Sequence, residues 1–499
     1  MFALSLGVSL LRPRLASVST LRGGSRALST RSAVTKGAVA GATTTTVMAL
    51  AGGALASSAS LPGDLSVTEH KIKVPLDHNA PRGPTIEVFV RELRRASRAD
   101  DEQPYLLYLQ GGPGFPSARP SAPAGGWQAA ALDAGFRVLL LDQRGTGSST
   151  PVTAQTLRGV GDADAQAAYL QHFRADSIVK DCEVVRKQLC ANKKITLLGQ
   201  SFGGFCILSY LSFAPKAIER ALFTFGLAPI TKQADDVYRA TFTRMEERCR
   251  KYYARYPGDV ELVRSIVRTL DAEPAPMPRG GTLTARRFLQ LGLLLGSGSG
   301  LETLHDLLEH AFVDTSDGPV LADGFLLAVE AAQQGFETNP IYWLLHEAIY
   351  CEPGSGASAW AAERVQASLG DAWDYKTRLK EGAAPVLLTG EMVYSWMGDD
   401  YAWLRELKPV AEKLAQKSDW GPLYDEAALR SGTAPCAALV SYEDIYVERA
   451  FSEETAAVLG PRCKCWITNE FQHSGLRDQP AVVFERLYKM AKGEVAIPS

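Results

Sequence analysis

The sequence predicts an α/β fold with a mostly parallel central sheet, helices on both faces of the sheet and a mainly helical cap insertion. Short apolar runs at residues 105–109, 136–141 and 195–198 are typical of strands buried on both faces of a parallel sheet. Between the second and third runs, residues 176–189 have their apolar side chains on one helical face. Strands that alternate with helices in this way indicate a parallel sheet covered on both sides.

Other segments extend this pattern towards both ends of the chain. Residues 71–78 and 85–91 alternate apolar and polar side chains, as half-buried strands do. A helix is predicted at residues 481–490, close to the end of the chain. Later apolar runs that predict strands are 385–389, 436–440 and 464–468.

The pattern changes between residues 231 and 383, where Leu, Glu, Arg and aromatic residues follow helical spacing. No clear buried strand is predicted there, so we interpret this region as a helical cap, within the usual size of a small domain. The chain then divides into four parts. They are a segment set apart from the fold (1–63), the first part of the core (64–230), the cap (231–383) and the second part of the core (384–499).

Composition excludes several classes of function. Hydrophobic residues make up 46% of the chain and charged residues 22%, which is ordinary for a globular protein. The formal net charge is -2, and no basic face or tail indicates a nucleic-acid partner. The eight cysteines are scattered, mostly in apolar segments, which favours reduced thiols over a disulfide framework. Cys463 and Cys465 lack a second ligand pair, so we expect no metal and no cofactor.

Residues 1–63 differ from the remainder in charge. They contain six Arg or Lys residues and no Asp or Glu, and small residues dominate, which is typical of an organelle transit peptide. We favour a mitochondrial presequence over a plastid one, with a disordered tail and a cytoplasmic protein as the alternative. Residues 38–56 are apolar but carry four consecutive Thr and several Gly, so we expect no stable membrane span.

The strongest motif is Gly199-Gln-Ser-Phe-Gly203, which directly follows an apolar strand and precedes a helix-compatible run. This arrangement is the nucleophile elbow of the α/β-hydrolase fold, and it identifies Ser201 as the candidate nucleophile. The turn is sharp, so Gly199 and Gly203 must be small where neighbouring backbones approach each other. A glycine-rich turn with an ordinary Ser is the alternative.

A Ser hydroxyl needs a base, and in this fold the acid and then the base follow the nucleophile in the chain. His473 follows the last predicted strand in a loop, where the base belongs. Glu443 and Asp444 both follow the preceding strand, and either could orient the imidazole. His305, His310 and His346 lie in the predicted cap, where surface or capping roles are expected.

The oxyanion that forms on the acyl carbon needs preorganised donors, usually backbone N–H groups. One should be the N–H of Phe202, the residue after the nucleophile. The other should come from the loop after an early strand, where Gln110-Gly-Gly-Pro-Gly114 stands, and we assign Gly112 first and Gly111 next. We interpret the loop Asp142-Gln-Arg-Gly-Thr-Gly-Ser148 as a structural support for these loops.

Taken together, these motifs resemble those of proline iminopeptidases, serine peptidases of the α/β-hydrolase fold. The similarity spans most of residues 66–490, and the ordered set is far more specific than any single motif. Gln110 stands where that family often has His, and residues 223–226 are larger than expected after a strand. Further stretches that carry the resemblance are 173–182, 345–351, 390–394, 444–447 and 468–477.

The resemblance implies release of N-terminal proline from peptides, and it favours Asp444 over Glu443 as the triad acid. It also implies a buried anion for the cationic imino group, for which Glu347 and Glu391 are the matching residues. The pyrrolidine ring requires an apolar, aromatic-lined pocket, and its candidate neighbours are aromatic residues of the cap. Those residues are Trp343, Tyr350 and Trp396.

Three alternatives remain at this point. The chain could be a broader amino- or tripeptidyl-peptidase, an esterase on the same scaffold, or a binding protein that kept the fold without the activity. The intact Ser, Asp and His argue against the last of these. Peptide length preference and oligomeric state are left open by the sequence.

Overall fold

The computed structural model describes residues 46–49 and 55–495, with side chains from Ser57 onwards. In this part of the chain the strands belong to one large sheet and two small antiparallel pairs. The strands are β1 (Thr46–Ala49), β2 (Leu55–Leu61), β3 (Leu65–Pro75), β4 (Thr85–Arg95), β5 (Tyr105–Leu109), β6 (Arg137–Asp142), β7 (Ile195–Gln200), β8 (Ile218–Thr224), β9 (Ala275–Pro276), β10 (Thr282–Leu283), β11 (Phe312–Thr315), β12 (Gly318–Leu321), β13 (Cys436–Ser441) and β14 (Cys463–Thr468).

The large sheet has the strand order β1-β2-β3-β4-β6-β5-β7-β8-β13-β14. From β6 to β14 every neighbouring pair is parallel, whereas β1 to β4 form antiparallel pairs and β4 joins β6 antiparallel. All six residues of β7 and all six of β13 are buried, because these central strands are covered on both faces. The mostly parallel sheet predicted from the sequence is confirmed.

Helices cover both faces of this sheet. α4 and α5 pack into the core on one face, and α1 and α19 pack into the core on the other. The α-helices of the described residues are α1 (Gly126–Asp133), α2 (Ala154–Arg158), α3 (Ala163–Leu170), α4 (Ala175–Leu189), α5 (Phe202–Phe213), α6 (Ala234–Arg255), α7 (Asp259–Ala272), α8 (Ala285–Leu289), α9 (Gly300–Leu308), α10 (Asp323–Thr338), α11 (Ile341–Leu345), α12 (Ala361–Ser368), α13 (Tyr375–Arg378), α14 (Met397–Asp400), α15 (Lys408–Gln416), α16 (Glu426–Ser431), α17 (Arg449–Leu459), α18 (Gly475–Asp478) and α19 (Pro480–Lys492).

The helical region lies between β8 and β13 and contains α6 to α16. It also contains the pairs β9–β10 and β11–β12, which the sequence patterns did not predict. Most side chains of β11 and β12 are exposed or half-buried, so they lack the apolar alternation from which a strand is recognised.

The strand predicted at residues 385–389 is wrong, because this apolar segment lies inside the helical region and not in the sheet. Its backbone is bonded by helical elements instead. The Thr389 N–H donates to the Leu289 carbonyl at 2.9 Å, and the Tyr253 hydroxyl donates to the Val386 carbonyl at 2.6 Å. An apolar run shows that a segment is buried, but it does not show which backbone groups satisfy its hydrogen bonds.

At the other end of the sheet, β2 pairs antiparallel with β3 along its whole length. The sheet therefore includes part of the segment 1–63 that composition had set apart from the fold. Residues 1–45 and 50–54, and with them most of the predicted transit peptide, lie outside the described residues. Among the helices that are described, none has the length and apolar character needed to cross a membrane.

Candidate active site

Ser201 stands between the end of β7 and the first residue of α5, in a conformation that few residues with a side chain adopt. Its φ is 54° and its ψ is -124°. Its N–H donates to the Thr224 carbonyl at 2.8 Å, and its own carbonyl accepts the Gly204 N–H at 2.7 Å. These bonds hold the strained turn, so the serine is fixed at the N-terminus of α5, where the helix dipole favours negative charge.

Two glycines make this turn possible. A Cβ atom on Gly203 would lie 1.9 Å from the Leu109 carbonyl oxygen, at the end of β5. A Cβ atom on Gly226 would lie 2.2 Å from the Ser201 carbonyl oxygen. Both distances are far below van der Waals contact, so the elbow, the loop after β5 and the segment after β8 approach one another only because these residues lack side chains.

His473 lies in the loop between β14 and α18, with a side chain that is 1% exposed. Its Nδ1 atom is 2.7 Å from Asp444 Oδ2, and its Nε2 atom has no hydrogen-bond partner among the described residues. The Gln200 side-chain amide donates to the His473 carbonyl at 3.0 Å, which ties this loop to the residue before the nucleophile. The ring of Phe225 packs beside the imidazole, with 5.5 Å between centroids, so the segment 223–226 contacts the base through this side chain.

Asp444 follows β13, and its carboxylate is 1% exposed. While Oδ2 faces the histidine, Oδ1 accepts the Tyr446 N–H at 2.9 Å and the Val447 N–H at 3.1 Å. These backbone donors fix the carboxylate before any substrate arrives. Glu443, the other acid considered, points away and pairs with Lys251 at the surface. The structure therefore brings Asp444, and not Glu443, to the imidazole.

The loop after β5 lies against the start of α5, as the contact at Gly203 shows. Gly112 has a φ of 137°, which favours glycine, and a Cβ atom there would lie 2.7 Å from the Phe115 ring. Gly111 precedes it and is also buried. Phe202 opens α5, and the first N–H groups of a helix have no partner within the helix. The glycine loop therefore lies against the first turn of α5, which Phe202 begins.

The loop after β6 supports the loop after β5. The Asp142 carboxylate accepts the Ser117 N–H at 3.0 Å and the Ser148 N–H at 2.9 Å. The fully buried Arg144 guanidinium binds both oxygens of Asp181 in α4, at 2.7 and 2.6 Å. Each polar group of this loop that we describe is bonded inside the protein, which fits the structural role expected of it.

The helical region contacts both loops through the start of α11. Cβ atoms on Gly114 and Gly145 would lie 2.9 and 2.4 Å from Ile341 atoms. The 3-10 segment Glu347–Tyr350 follows α11, and the Arg174 guanidinium donates to the Ala348 carbonyl at 2.9 Å. Arg174 is the residue before α4, so a residue of the core binds this 3-10 segment of the helical region.

Glu391 is a buried carboxylate without a strong partner. Its Oε1 atom has no hydrogen-bond partner among the described residues, and its Oε2 atom is 3.7 Å from His346 Nε2. Burial, and after it the negative charge of Asp444, raises the pKa of Glu391 well above the ordinary value for a Glu carboxyl. Glu391 therefore lies within electrostatic reach of the triad acid, in a site to which the described residues contribute no positive charge.

Glu347 is also buried, but it faces a helix end. Its Oε1 atom accepts the Ala362 N–H of α12 at 3.0 Å, while Oε2 has no hydrogen-bond partner among the described residues. Burial raises the pKa of Glu347. Burial, Glu391 and Glu347 all raise the pKa of the Tyr350 hydroxyl, so both carboxylates lie within electrostatic reach of the same tyrosine.

A continuous set of rings connects the nucleophile to the helical region. Neighbouring ring centroids in this set are 4.6 to 6.2 Å apart. The set begins at the residue after Ser201 and ends at the residue after the glycine loop. We call it the aromatic wall; its members in order of contact are Phe202, Phe205, Tyr350, His346, Tyr342 and Phe115.

Of the ring neighbours expected from the sequence, only Tyr350 belongs to this wall. Trp343 points to the other side of α11, where its Nε1 donates to the Tyr394 carbonyl at 2.8 Å. Trp396 stacks on Tyr394, with 4.9 Å between centroids, next to a surface groove. The surface or capping role expected of His346 is wrong, because its side chain is 2% exposed and belongs to the wall.

His346 and Tyr342 are the site residues that sequence reasoning missed. They stand four positions apart and therefore share one face of a helix, a signal that could have linked them. The helix is apolar on every side, however, so the periodicity did not show which face looks towards the nucleophile.

The chain is similar to several known proteins. A family model described as the α/β hydrolase fold matches residues 104–256. A proline iminopeptidase of Aeromonas sobria is 46% identical over 84% of this chain and 95% of its own length. A proline iminopeptidase of Aspergillus aculeatus is 35% identical over 87% of this chain and 95% of its own length.

Among solved structures, a proline iminopeptidase of Mycobacterium smegmatis matches 85% of this chain and 100% of its own, at 14% identity and with a TM-score of 0.39. The two sequence relatives suffice, because each extends across the core and the helical region. The chain belongs to the proline iminopeptidase family of α/β-hydrolase-fold proteins.

Proposed function

We propose that this protein is a serine aminopeptidase that releases N-terminal proline from peptides through an acyl-enzyme on Ser201. Membership of the proline iminopeptidase family supports the reaction class. The observation that carries the exopeptidase specificity is the buried Glu391 carboxylate, which has no cationic partner in the described residues and lies near the acid of the triad. A buried carboxylate is costly alone and favourable beside a cation, and a free N-terminal imino group supplies that cation.

In the first step, Ser201 Oγ attacks the prolyl carbonyl and His473 Nε2 accepts the hydroxyl proton. The hydrogen bond from Nδ1 to Asp444 leaves the Nε2 lone pair available for this role. Asp444 also stabilises the imidazolium that forms, because its carboxylate is held by two backbone N–H groups. Proton transfer and orientation are thus divided between two fixed side chains.

The tetrahedral intermediate carries its negative charge on the former carbonyl oxygen. We assign the Phe202 N–H and the Gly112 N–H as its donors, with Gly111 as the next candidate. The position of Phe202 at the start of α5 adds the positive end of the helix dipole. Because both donors belong to the backbone, Gln110 in place of the histidine frequent in the family leaves this stabilisation intact.

Collapse of the intermediate breaks the amide bond, and the imidazolium gives its proton to the leaving amine of the shortened peptide. A water molecule then attacks the prolyl ester on Ser201 with His473 again as the base, and free proline is released. No step requires a metal or organic cofactor. In the described residues, no group of three or more His, Cys, Asp and Glu is arranged to hold a metal ion.

Substrate recognition is assigned to the helical region. Glu391 binds the imino cation, and the aromatic wall packs against the pyrrolidine ring. Glu347 is the second amine-binding candidate, since one of its oxygens is buried without a partner, but its other oxygen is used by α12. A blocked amine has no positive charge for Glu391, so N-acylated prolyl substrates should react poorly.

The function is tested with prolyl, alanyl and N-acetylprolyl chromogenic amides, and with a fluorophosphonate probe. The wild-type protein should cleave the prolyl amide best, and Ser201→Ala should lose both turnover and labelling while keeping its fold. Ser209→Ala is the matched control, because this buried serine of α5 has no hydrogen-bond partner among the described residues and is not at the elbow. Turnover by Ser201→Ala, or equal rates on the blocked amide, would contradict the proposal.

The composition of residues 1–63 supports a mitochondrial location, with the cytoplasm or a plastid as alternatives. Fusion of these residues to a fluorescent protein should direct it to mitochondria, and replacing the six basic residues by Gln should leave it in the cytoplasm. If the fusion with the unchanged residues 1–63 stays diffuse in the cell, these residues are not a mitochondrial targeting signal.

A further inference from the structure

His346 is a buried imidazole beside Glu391. It directly follows α11, and its Nε2 atom is 3.7 Å from Glu391 Oε2. This separation is longer than a hydrogen bond, so the two groups face each other without being bonded. The ring is also a member of the aromatic wall, between Tyr342 at 4.6 Å and Tyr350 at 6.2 Å.

Neither ring nitrogen of His346 has a hydrogen-bond partner among the described residues. Buried polar groups in folded proteins are nearly always paired, and an unpaired one calls for an explanation. The neighbouring Glu391 Oε1 atom is unpaired as well. Three unsatisfied polar atoms therefore stand together on the side of the site where the substrate amine is expected.

We propose that His346 is a specificity-determining residue, whose Nε2 atom accepts one N–H of the N-terminal prolyl ammonium while Glu391 accepts the other. This inference rests on the proposed function. The two acceptor atoms are 3.7 Å apart, which is less than twice a charge-assisted hydrogen bond of about 2.8 Å, so one nitrogen can bond both. Burial lowers the pKa of His346 to about 3, so the ring is neutral near pH 7 and one of its nitrogens can accept.

The number of donors then distinguishes proline from other N-terminal residues. A protonated N-terminal proline has two N–H groups, and every other N-terminal residue has three. Two acceptors satisfy the prolyl ammonium fully, whereas a primary ammonium in the same position keeps one donor unpaired among aromatic rings. An unpaired buried donor should weaken binding roughly five- to 150-fold.

The test uses paired substitutions at His346 and the ratio of kcat/KM for prolyl and N-methylprolyl amides, because the single N–H group of N-methylproline bonds Glu391 and leaves no bond to His346 that a substitution could remove. His346→Leu removes both nitrogens and keeps an apolar side chain, so the ratio should fall roughly five- to 150-fold, chiefly through KM of the prolyl amide. His346→Gln places an amide near the position of Nε2 and should restore most of the ratio. His346→Asn is too short to do so.

His305→Gln is the matched control, since this histidine of the helical region is partly exposed and pairs with Asp259. It should leave the ratio unchanged. If His346 only fills space, its replacement by Leu, Gln or Asn would lower kcat/KM for both substrates alike, and the ratio would stay at the wild-type value. That result would overturn the inference.

A second measurement uses the wild-type protein alone and does not depend on whether the variants fold. N-methylprolyl amide is a tertiary ammonium with a single N–H. Its kcat/KM with the wild-type protein should lie below that of the prolyl amide by roughly the factor that His346→Leu removes from the prolyl amide. Equal rates on prolyl and N-methylprolyl amides would refute the inference that His346 and Glu391 each accept one N–H of the prolyl ammonium. Absence of prolyl amide hydrolysis by the wild-type protein would instead refute the proposed function itself, so the two failures are distinguishable.

Discussion

Replacing Glu391 by Gln tests the recognition site most directly, because the change removes the charge and keeps the shape of the side chain. The carboxylate is 9% exposed, it faces an uncharged imidazole, and the negative charge of the triad acid raises its pKa further. The substrate cation would therefore be its main stabilising partner. We expect Glu391→Gln to lower activity on prolyl amides while leaving the triad geometry unchanged.

The magnitude follows from the cost of breaking a buried ion pair. Removing one partner of such a pair costs about 3–5 kcal/mol, which corresponds to a loss of roughly two to three and a half orders of magnitude in kcat/KM. The ammonium is bound in both the ground state and the transition state, so most of the loss should be in KM. A smaller loss, chiefly in kcat, would mean that the cation is held elsewhere.

The same substitution should stabilise the protein at high pH. Burial raises the pKa of Glu391, so between the ordinary Glu pKa of about 4.3 and the raised value the folded state holds a proton that the unfolded state has lost. The stability of the wild-type protein therefore falls as pH rises through that window, and Glu391→Gln has no such loss. The difference in melting temperature should be constant below about pH 4 and grow above it.

Steady-state kinetics with prolyl amides and thermal melts from pH 4 to 8 measure both effects. Glu219→Gln, an exposed glutamate of β8, is the control and should change neither quantity. The reasoning is refuted if Glu391→Gln keeps kcat/KM within about threefold of wild type, which is too small for a buried pair. It is also refuted if the melting-temperature difference shrinks as pH rises.

Three further outcomes follow from the site. Asp444→Asn should leave KM nearly unchanged and lower kcat by about 10⁴-fold, because His473 would adopt the wrong tautomer; single-turnover kinetics would check this. Gly203→Ala should yield little folded protein, since its Cβ would lie 1.9 Å from the Leu109 carbonyl oxygen, and circular dichroism after refolding would show it. Arg144→Ala should cost about 3–5 kcal/mol of stability by removing the Arg144 cation from the buried Asp181 carboxylate, as measured by urea denaturation.

The parts of the fold and site that depend on local pattern could be predicted from the sequence. Buried parallel strands are short apolar runs, and the elbow needs glycines at fixed spacing around Ser201, so both leave a signal within ten residues. The choice between Glu443 and Asp444 could not be made from spacing alone, since both follow β13 directly. It depends on which carboxylate turns towards His473, and the Tyr446 and Val447 N–H groups decide that.

The recognition groups left weaker signals, for a physical reason. His346 is buried by contacts with residues far away in the sequence, and Tyr342, its neighbour on the helix face, lies within a run that is apolar on all sides. A histidine in such a run reads as a surface or capping residue unless the packing of the helix is known. Whether a polar side chain is buried and unpaired, and so points to a function, is known only from the three-dimensional structure.

Residues 385–389, for which a strand was incorrectly predicted, lie just before Glu391, the carboxylate proposed to bind the substrate amine. This apolar stretch is bonded by the helical region and not by a neighbouring strand, so its end is free of sheet register, and Glu391 lies within electrostatic reach of the triad acid. Ser201, Asp444 and His473 instead follow strands of the sheet, whose spacing fixes them. Changes in the packing of the helical region can therefore move the amine-binding group without moving the groups that break the bond, so specificity should vary more readily than chemistry on this scaffold.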